Sequence, residues 1–233
     1  MQTKALSPRA RVRKSMFAQY GARGSDTKSN RWLAYSVKTN RDWIFPSDRQ
    51  LVHWLMFLET DPAVQTFNAA PDIVLSVDDK EVRATELDAE VVYEDGHVEW
   101  HEVKSGSHQH PSHRSQLQAQ AAAASAQGIR YRIFDDEQLQ PLAAIALRWL
   151  TATCFAAAIR DHPYLPAQNA IASYCYGTRE GTVAEVLDAF SALPEPVTIG
   201  VLVRLAIKDV IAFDLKALPL GRRTPWKSNA NTH

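Results

Sequence analysis

Apolar positions along the chain change period several times, and each change marks an element. Leu51, Trp54, Leu55 and Leu58 recur at helical spacing between a Pro46-Ser47 start and Asp61-Pro62, which predicts a helix within residues 45–59. Short extended runs follow at Ala63–Asn68, Ile73–Val77 and Val82–Thr85. Glu86–Tyr93 and the run ending at Lys104 flank Glu94-Asp95-Gly96-His97, whose Asp-Gly pair predicts a β-hairpin. An Ala/Gln-rich helix is expected over Ser112–Ala126, stopped by Gly128, then a strand over Ile129–Phe134. Leu139–Arg160 reads as one long apolar helix closing the first domain, and Asp161-His162-Pro163-Tyr164-Leu165-Pro166 breaks it. Three more helical segments, Ala167–Tyr176, Thr182–Leu193 and Thr198–Lys208, with Thr182 and Thr198 as caps, precede a strand at Val210–Asp214.

The predicted hairpin carries the candidate chemistry. Side chains alternate faces along a strand, so Glu102 and Lys104 share one face and Val103 takes the other. Asp88 opens the preceding strand, so two carboxylates and one ammonium can meet at a sheet edge. Hard oxygen ligands suit Mg²⁺, with Mn²⁺ able to substitute, and a lysine beside them suits phosphodiester cleavage by activated water. This is the PD-(D/E)XK nuclease pattern, and a helix upstream with a helix-strand pair downstream supplies the αβββαβ frame it needs. The expected fold is therefore α/β, a restriction-endonuclease-like PD-(D/E)XK core at 41–162 with a winged-helix-like C-terminal domain at 163–233. An additional acid or polar ligand is sought on the first helix, where Asp48 and Gln50 lie on the first turns. Glu59, near its end, reads as a solvated helix face, and so do Gln116 and Gln120 on the Ala/Gln-rich helix.

Charge changes the picture at one end only. Net charge is zero over 233 residues, yet residues 1–50 hold eleven Lys and Arg against three Asp, a local +8. Residues 1–40 read as a basic flexible arm suited to salt-sensitive phosphate contacts, with Arg9, Arg11, Arg13, Lys14 and Arg41, and further along Arg114, as DNA-binding candidates. The aromatics of Trp32–Trp43 are expected to dock on the core. His108, His110 and His113 read as phosphate contacts or solvated side chains rather than a zinc site. Two cysteines without CxxC spacing suggest reduced thiols, and the lack of an apolar run of about 18 residues or of a signal sequence predicts a cytoplasmic protein with no membrane partner.

In order, Asp61-Pro62-Ala63-Val64, Asp88, the hairpin, Glu102-Val103-Lys104, the Ala-rich helix and the Arg130–Phe134 strand resemble the TnsA endonuclease subunit of heteromeric, Tn-seven-like transposases. Glu195-Pro196-Val197-Thr198-Ile199-Gly200 and Asp214–Pro219 are similar to that family's C-terminal half, and the resemblance spans roughly residues 40–225. It implies a Mg²⁺-dependent endonuclease nicking the 5′ ends of a transposon in double-stranded DNA. A TnsB-like DDE transposase and a TnsC-like AAA+ regulator would be its partners, the regulator reached through the C-terminal half. It also implies metal at Asp88, Glu102 and Val103, with Lys104 orienting the attacking water or stabilising the phosphate. The chain departs from the family where Leu87-Asp88 replaces Pro-Asp, and where Gln50 or Leu51 stands for the first-helix glutamate. Either Asp48 substitutes or the third acid is absent. A restriction or repair nuclease, and a catalytically weak DNA-binding assembly subunit, are the alternative readings.

Overall fold

The computed structural model describes residues 10–11, 32–45, 54–71, 74–78, 81–104 and 111–229, and over them the chain is mixed α/β. Strands β1 (Ala10–Arg11), β2 (Trp32–Ser36) and β3 (Arg41–Phe45) form a sheet in the order β1-β3-β2, with β1 parallel to β3. Helix α1 (Met56–Thr60) and β4 (Val64–Asn68) follow, then an antiparallel hairpin of β5 (Val74–Asp78) and β6 (Glu81–Thr85). The expected central hairpin forms from β7 (Ala89–Tyr93) and β8 (Val98–Val103). Its turn places Gly96 at φ +85°, where a side chain would be strained. Helix α2 (Pro111–Ala126) leads to β9 (Arg130–Phe134), which joins β8 in parallel, giving a mixed sheet of order β4-β7-β8-β9. Leu87 and Trp100 pack with Ala123 and Ala124 of α2, so the helix covers one face of the sheet through its smallest residues.

The described chain divides into two compact units. One draws on residues 41–54 and 63–141; the other on Tyr35–Asn40, Leu55–Pro62 and the chain from Leu142 onward. In the second, α4 (Ala143–Ala158) follows a short α3 (Asp136–Leu139) and a 3₁₀ turn at Gln140–Leu142. The single long helix expected from Leu139 is thus interrupted at Pro141, whose missing N–H cannot continue the ladder. Ala152, Ala156 and Ile159 bury against Val201, Leu202 and Leu205, so α4 belongs to the second core rather than closing the first. The division accordingly falls after Pro141 instead of near His162.

Helices α5 (Leu165–Thr178), α6 (Val183–Ala189) and α7 (Glu195–Ile207) complete this unit with β10 (Glu180–Thr182), β11 (Ile211–Phe213) and β12 (Pro225–Ser228). The three strands form an antiparallel sheet of order β10-β12-β11. Thr182 caps α6 as expected, in a reciprocal capping box with Glu185. Thr198 does not cap α7, which starts at Glu195 with Pro196 in its first turn and buries Thr198 completely. Strand β12 lies between β10 and β11, and its Trp226 is fully buried although Arg222, Arg223 and Lys227 surround it in sequence. Arg204 of α7 is buried because its guanidinium donates to the carbonyls of Ile159, His162 and Pro163, closing the exposed end of α4. Cys154 is exposed and Cys175 buried, both free thiols. One helical run, Asp136–Ala158, is long and apolar enough to cross a membrane by length and composition, against expectation. A core helix of a soluble protein meets the same criterion; on α4 only Ala146, Ala152, Thr153 and Ala156 are buried, and 22% of the apolar window is covered.

Gly200 brings α7 directly against α4. A Cβ there would lie 2.7 Å from the Phe155 carbonyl oxygen and 2.8 Å from Ile159 Cδ1. Alanine should gain about 1 kcal/mol of helix propensity but lose about 1–3 kcal/mol to overpacking against backbone that cannot move aside. Gly200→Ala is therefore expected to lower Tm. Calorimetry showing a raised Tm would contradict this account of the α4–α7 contact.

Candidate active site

The edge where β7 begins and β8 ends gathers the candidate residues. Asp88 precedes β7 and extends its pairing by one step, its N–H donating to the His101 carbonyl at 3.1 Å. Its side chain does similar work, with Oδ2 accepting the Val103 N–H at 2.7 Å. This bond holds the carboxylate against the end of β8. Glu102 projects from the same face, since Ala89 pairs with His101 and the residues before and after them fall on the other side of the pleat. Both carboxylates are buried.

Lys104 follows immediately, its N–H donating to the Phe134 carbonyl of β9 at 2.8 Å. Its ammonium meets Glu102 Oε1 at 2.6 Å and lies 3.5 Å from Gln116 Oε1. The other carboxylate oxygen, Oε2, accepts from Gln120 Nε2 at 3.1 Å, and the same amide group donates to the Glu86 carbonyl. Tyr131 donates its hydroxyl to Gln120 Oε1 at 2.6 Å. Burial raises the Tyr131 ionisation, and the negative charges of Glu102 and Asp88 raise it further, so the hydroxyl remains a donor. Gln120 is thus completely buried rather than solvated, and Gln116 is half-buried.

The opposite face of β8 holds a second polar network that the sequence reading did not single out. Glu99 and His101 alternate with Trp100 and Glu102, so this strand carries polar residues inward on both sides. Trp54 Nε1 is 3.3 Å from His101 Nδ1, and an indole N–H can only donate. The proton of His101 therefore sits on Nε2, 3.1 Å from Glu99 Oε2. With Nδ1 already an acceptor and Nε2 a donor, the ring is a structural link and not a metal ligand. Tyr93 and Arg130 also donate to Glu99. Burial pushes the Glu99 carboxyl up, but bonds from His101, Tyr93 and Arg130 outweigh it and hold it below the ordinary value. Burial lowers His101 to about 4, so the ring is neutral at physiological pH. The signal available in sequence was the Glu99-x-His101 alternation itself.

No family model and no curated protein matches the chain. The site has to be read from its own geometry. Asp88, Glu102 and Lys104 come together, with the Val103 backbone held between them. Arg41 and Arg114 are exposed, at the start of β3 and on α2. Asp48, Gln50, Arg9, Arg13 and Lys14 lie outside the described residues, as do His108, His110 and the side chains of Arg11 and His113.

Glu59 departs furthest from expectation. It is fully buried in the second unit, where its Oε2 accepts the Val37 N–H at 3.1 Å and its Oε1 has no hydrogen-bond partner. Burial pushes its carboxyl up to about 7, against the lowering effects of Ser36, Lys38 and the Val37 amide.

Proposed function

We propose that this chain is a Mg²⁺-dependent DNA endonuclease of the PD-(D/E)XK type, serving as the TnsA-like subunit that nicks the 5′ ends of a transposon. The observation that carries the reading is the convergence of Asp88, Glu102 and Lys104 on one strand edge, with the Lys104 ammonium on Glu102. Two buried carboxylates beside one ammonium fit a small divalent cation, whose hard-acid preference is for oxygen. Asp88, Glu102 and the Val103 carbonyl would hold the cation. When bound, it would supply Lewis acidity at the scissile phosphate and lower the pKa of water. Lys104 keeps a positive charge at the site edge, where it orients the nucleophile or offsets charge on the phosphate. Asp88 fixes the end of β8 through the Val103 amide, and Gln116 limits the reach of the lysine.

For the second unit, a winged-helix-like role is supported by α6 and α7 followed by the β11–β12 pair. Helix α7 buries nearly every residue from Thr198 to Ile207, so it has no face left to read bases. Partner contact, with a TnsB-like transposase or a TnsC-like AAA+ regulator, suits this unit better than sequence recognition.

Mg²⁺-dependent nicking of supercoiled DNA is the direct test, with Asp88→Asn as the control that keeps size and loses charge. Nicking by the wild type and not by the variant supports the reading. Equal activity of the two would remove Asp88 from the chemistry. Dependence of nicking on transposase subunits and transposon-end DNA separates the transposition role from a restriction or repair nuclease. A second reading, a catalytically weak assembly subunit, rests on Gln50 or Leu51 standing where the family it resembles has a first-helix glutamate. Duplex DNA binding without nicking in Mg²⁺ would select it. Under either reading, deleting residues 1–31 should weaken DNA binding at physiological salt and flatten its salt dependence. Unchanged affinity by fluorescence anisotropy would exclude the arm as a phosphate contact.

A further inference from the structure

Helix α2 and strand β8 are matched in repeat. Gln116 and Gln120 are one turn apart on one helix face, a rise of about 6 Å, while Glu102 and Lys104 are two apart on a strand face, about 6.6 Å. The amide of Gln116 therefore meets Lys104 and that of Gln120 meets Glu102. The orientation of Gln120 is fixed by its partners. Glu86 O and Glu102 Oε2 can only accept, so the NH₂ group must face them, which turns Oε1 to the Tyr131 hydroxyl. A flipped amide would set its oxygen against two acceptors in a fully buried position.

We propose that Gln120, locked by Tyr131, is a positioning residue that makes Glu102 a one-oxygen ligand and so favours Mg²⁺ or Mn²⁺ over Ca²⁺. This rests on the nuclease reading above. Oε2 is engaged by the amide and Oε1 faces Lys104, so Glu102 offers a cation the edge that the lysine now covers. Small octahedral cations accept carboxylates through single oxygens, whereas Ca²⁺ gains from bidentate carboxylates and a flexible shell. Fixing the carboxylate plane by an outer hydrogen bond thus discriminates between them. Freed from the amide, Glu102 could rotate and present both oxygens.

The test compares Mn²⁺ and Ca²⁺ affinities of the full chain, Mn²⁺ by electron paramagnetic resonance of the free ion and Ca²⁺ by competition. Gln120→Met keeps length and removes both amide bonds; Tyr131→Phe keeps the ring and removes only the lock. Both should weaken Mn²⁺ binding, Gln120→Met by about ten-fold and Tyr131→Phe by less, while Ca²⁺ affinity holds or rises. The Mn²⁺-to-Ca²⁺ preference is the readout that a purely structural role would not move. Equal losses for both ions, or wild-type Mn²⁺ affinity in both variants, would overturn the proposal while leaving the nuclease reading intact. A wild-type chain that binds neither ion would remove that reading and the proposal with it. Should Gln120→Met not fold, Tyr131→Phe decides alone.

Discussion

Lys104→Ala is expected to reduce Mg²⁺-dependent DNA cleavage by at least about 100-fold, the scale on which a single preorganised charge or donor contributes to a transition state. The backbone would remain in place, since the Lys104 N–H bond to Phe134 and the β8–β9 register do not involve the side chain. Its ammonium is nevertheless the charge partner of a buried carboxylate, so the variant takes that ammonium from Glu102 while the Gln120 bond stays. Some stability should therefore be lost without a cation and recovered when Mn²⁺ is added. The lysine and a divalent cation compete for the same carboxylate, which gives the variant a distinctive signature: weaker cleavage with tighter Mn²⁺ binding than the wild type. Cleavage at the wild-type rate would remove Lys104 from the chemistry. Loss of both cleavage and Mn²⁺ binding, in a chain that still melts cooperatively, would show that its role is to build the site.

The second large effect concerns pH and the second unit. Glu59 has its folded-state value raised to about 7 from 4.5, so between those values the folded chain holds a proton that the unfolded chain has released. Stability from this group is full below about pH 4.5, declines as pH rises, and is gone above about pH 7. The buried carboxyl corresponds to a ceiling of about 3 kcal/mol. The physical cause is burial, which removes water from the carboxyl and leaves Oε1 with no hydrogen-bond partner; bonds from Ser36 and the Val37 amide and the nearby Lys38 charge offset only part of that. The cations on helices α4 and α7 are engaged elsewhere: Arg148 on the Leu215 and Lys216 carbonyls, Arg204 on those of Ile159, His162 and Pro163. Glu59→Gln should thus be more stable than the wild type at pH 8, with the advantage shrinking towards pH 5. Denaturation at several pH values checks it, and an equal difference at pH 5 and pH 8 would refute the assignment. His101 acts with the opposite sign in the first unit. Its folded value is lowered to about 4 from 6.5, so its contribution falls as pH drops through that interval.

Much of the hairpin was legible because three local rules agreed there. Alternation marked both strands, Asp95-Gly96 supplied the turn, and the period of two placed Glu102 with Lys104. The helix between β8 and β9 permits their parallel pairing as a crossover, and the structure has it. Burial of the polar residues was not legible. Glu59, Gln116 and Gln120 sit at helix positions that read as outer faces, because amphipathic periodicity identifies apolar stripes and is silent on polar groups satisfied by distant partners. Gln120 finds Glu86, Glu102 and Tyr131 from three separate stretches of chain. The Trp54–His101–Glu99 network is hidden for the same reason. Strand β12 escaped because Pro225 and Lys227 suppress the strand signal, while the burial of Trp226 is a tertiary fact. Placement of α4 depended on Gly200, whose lack of a side chain admits α4 against α7 and has no signature in hydrophobic period.

Divalent cation binding by calorimetry, comparing the wild type with Asp88→Asn, decides whether a cation sits at the candidate strand edge. Saturable Mn²⁺ binding by the wild type and its loss in the variant are expected, with no comparable drop in thermal stability. Equal Mn²⁺ binding by both proteins would contradict this, because the cation would then reside away from the edge where Asp88, Glu102 and Lys104 meet.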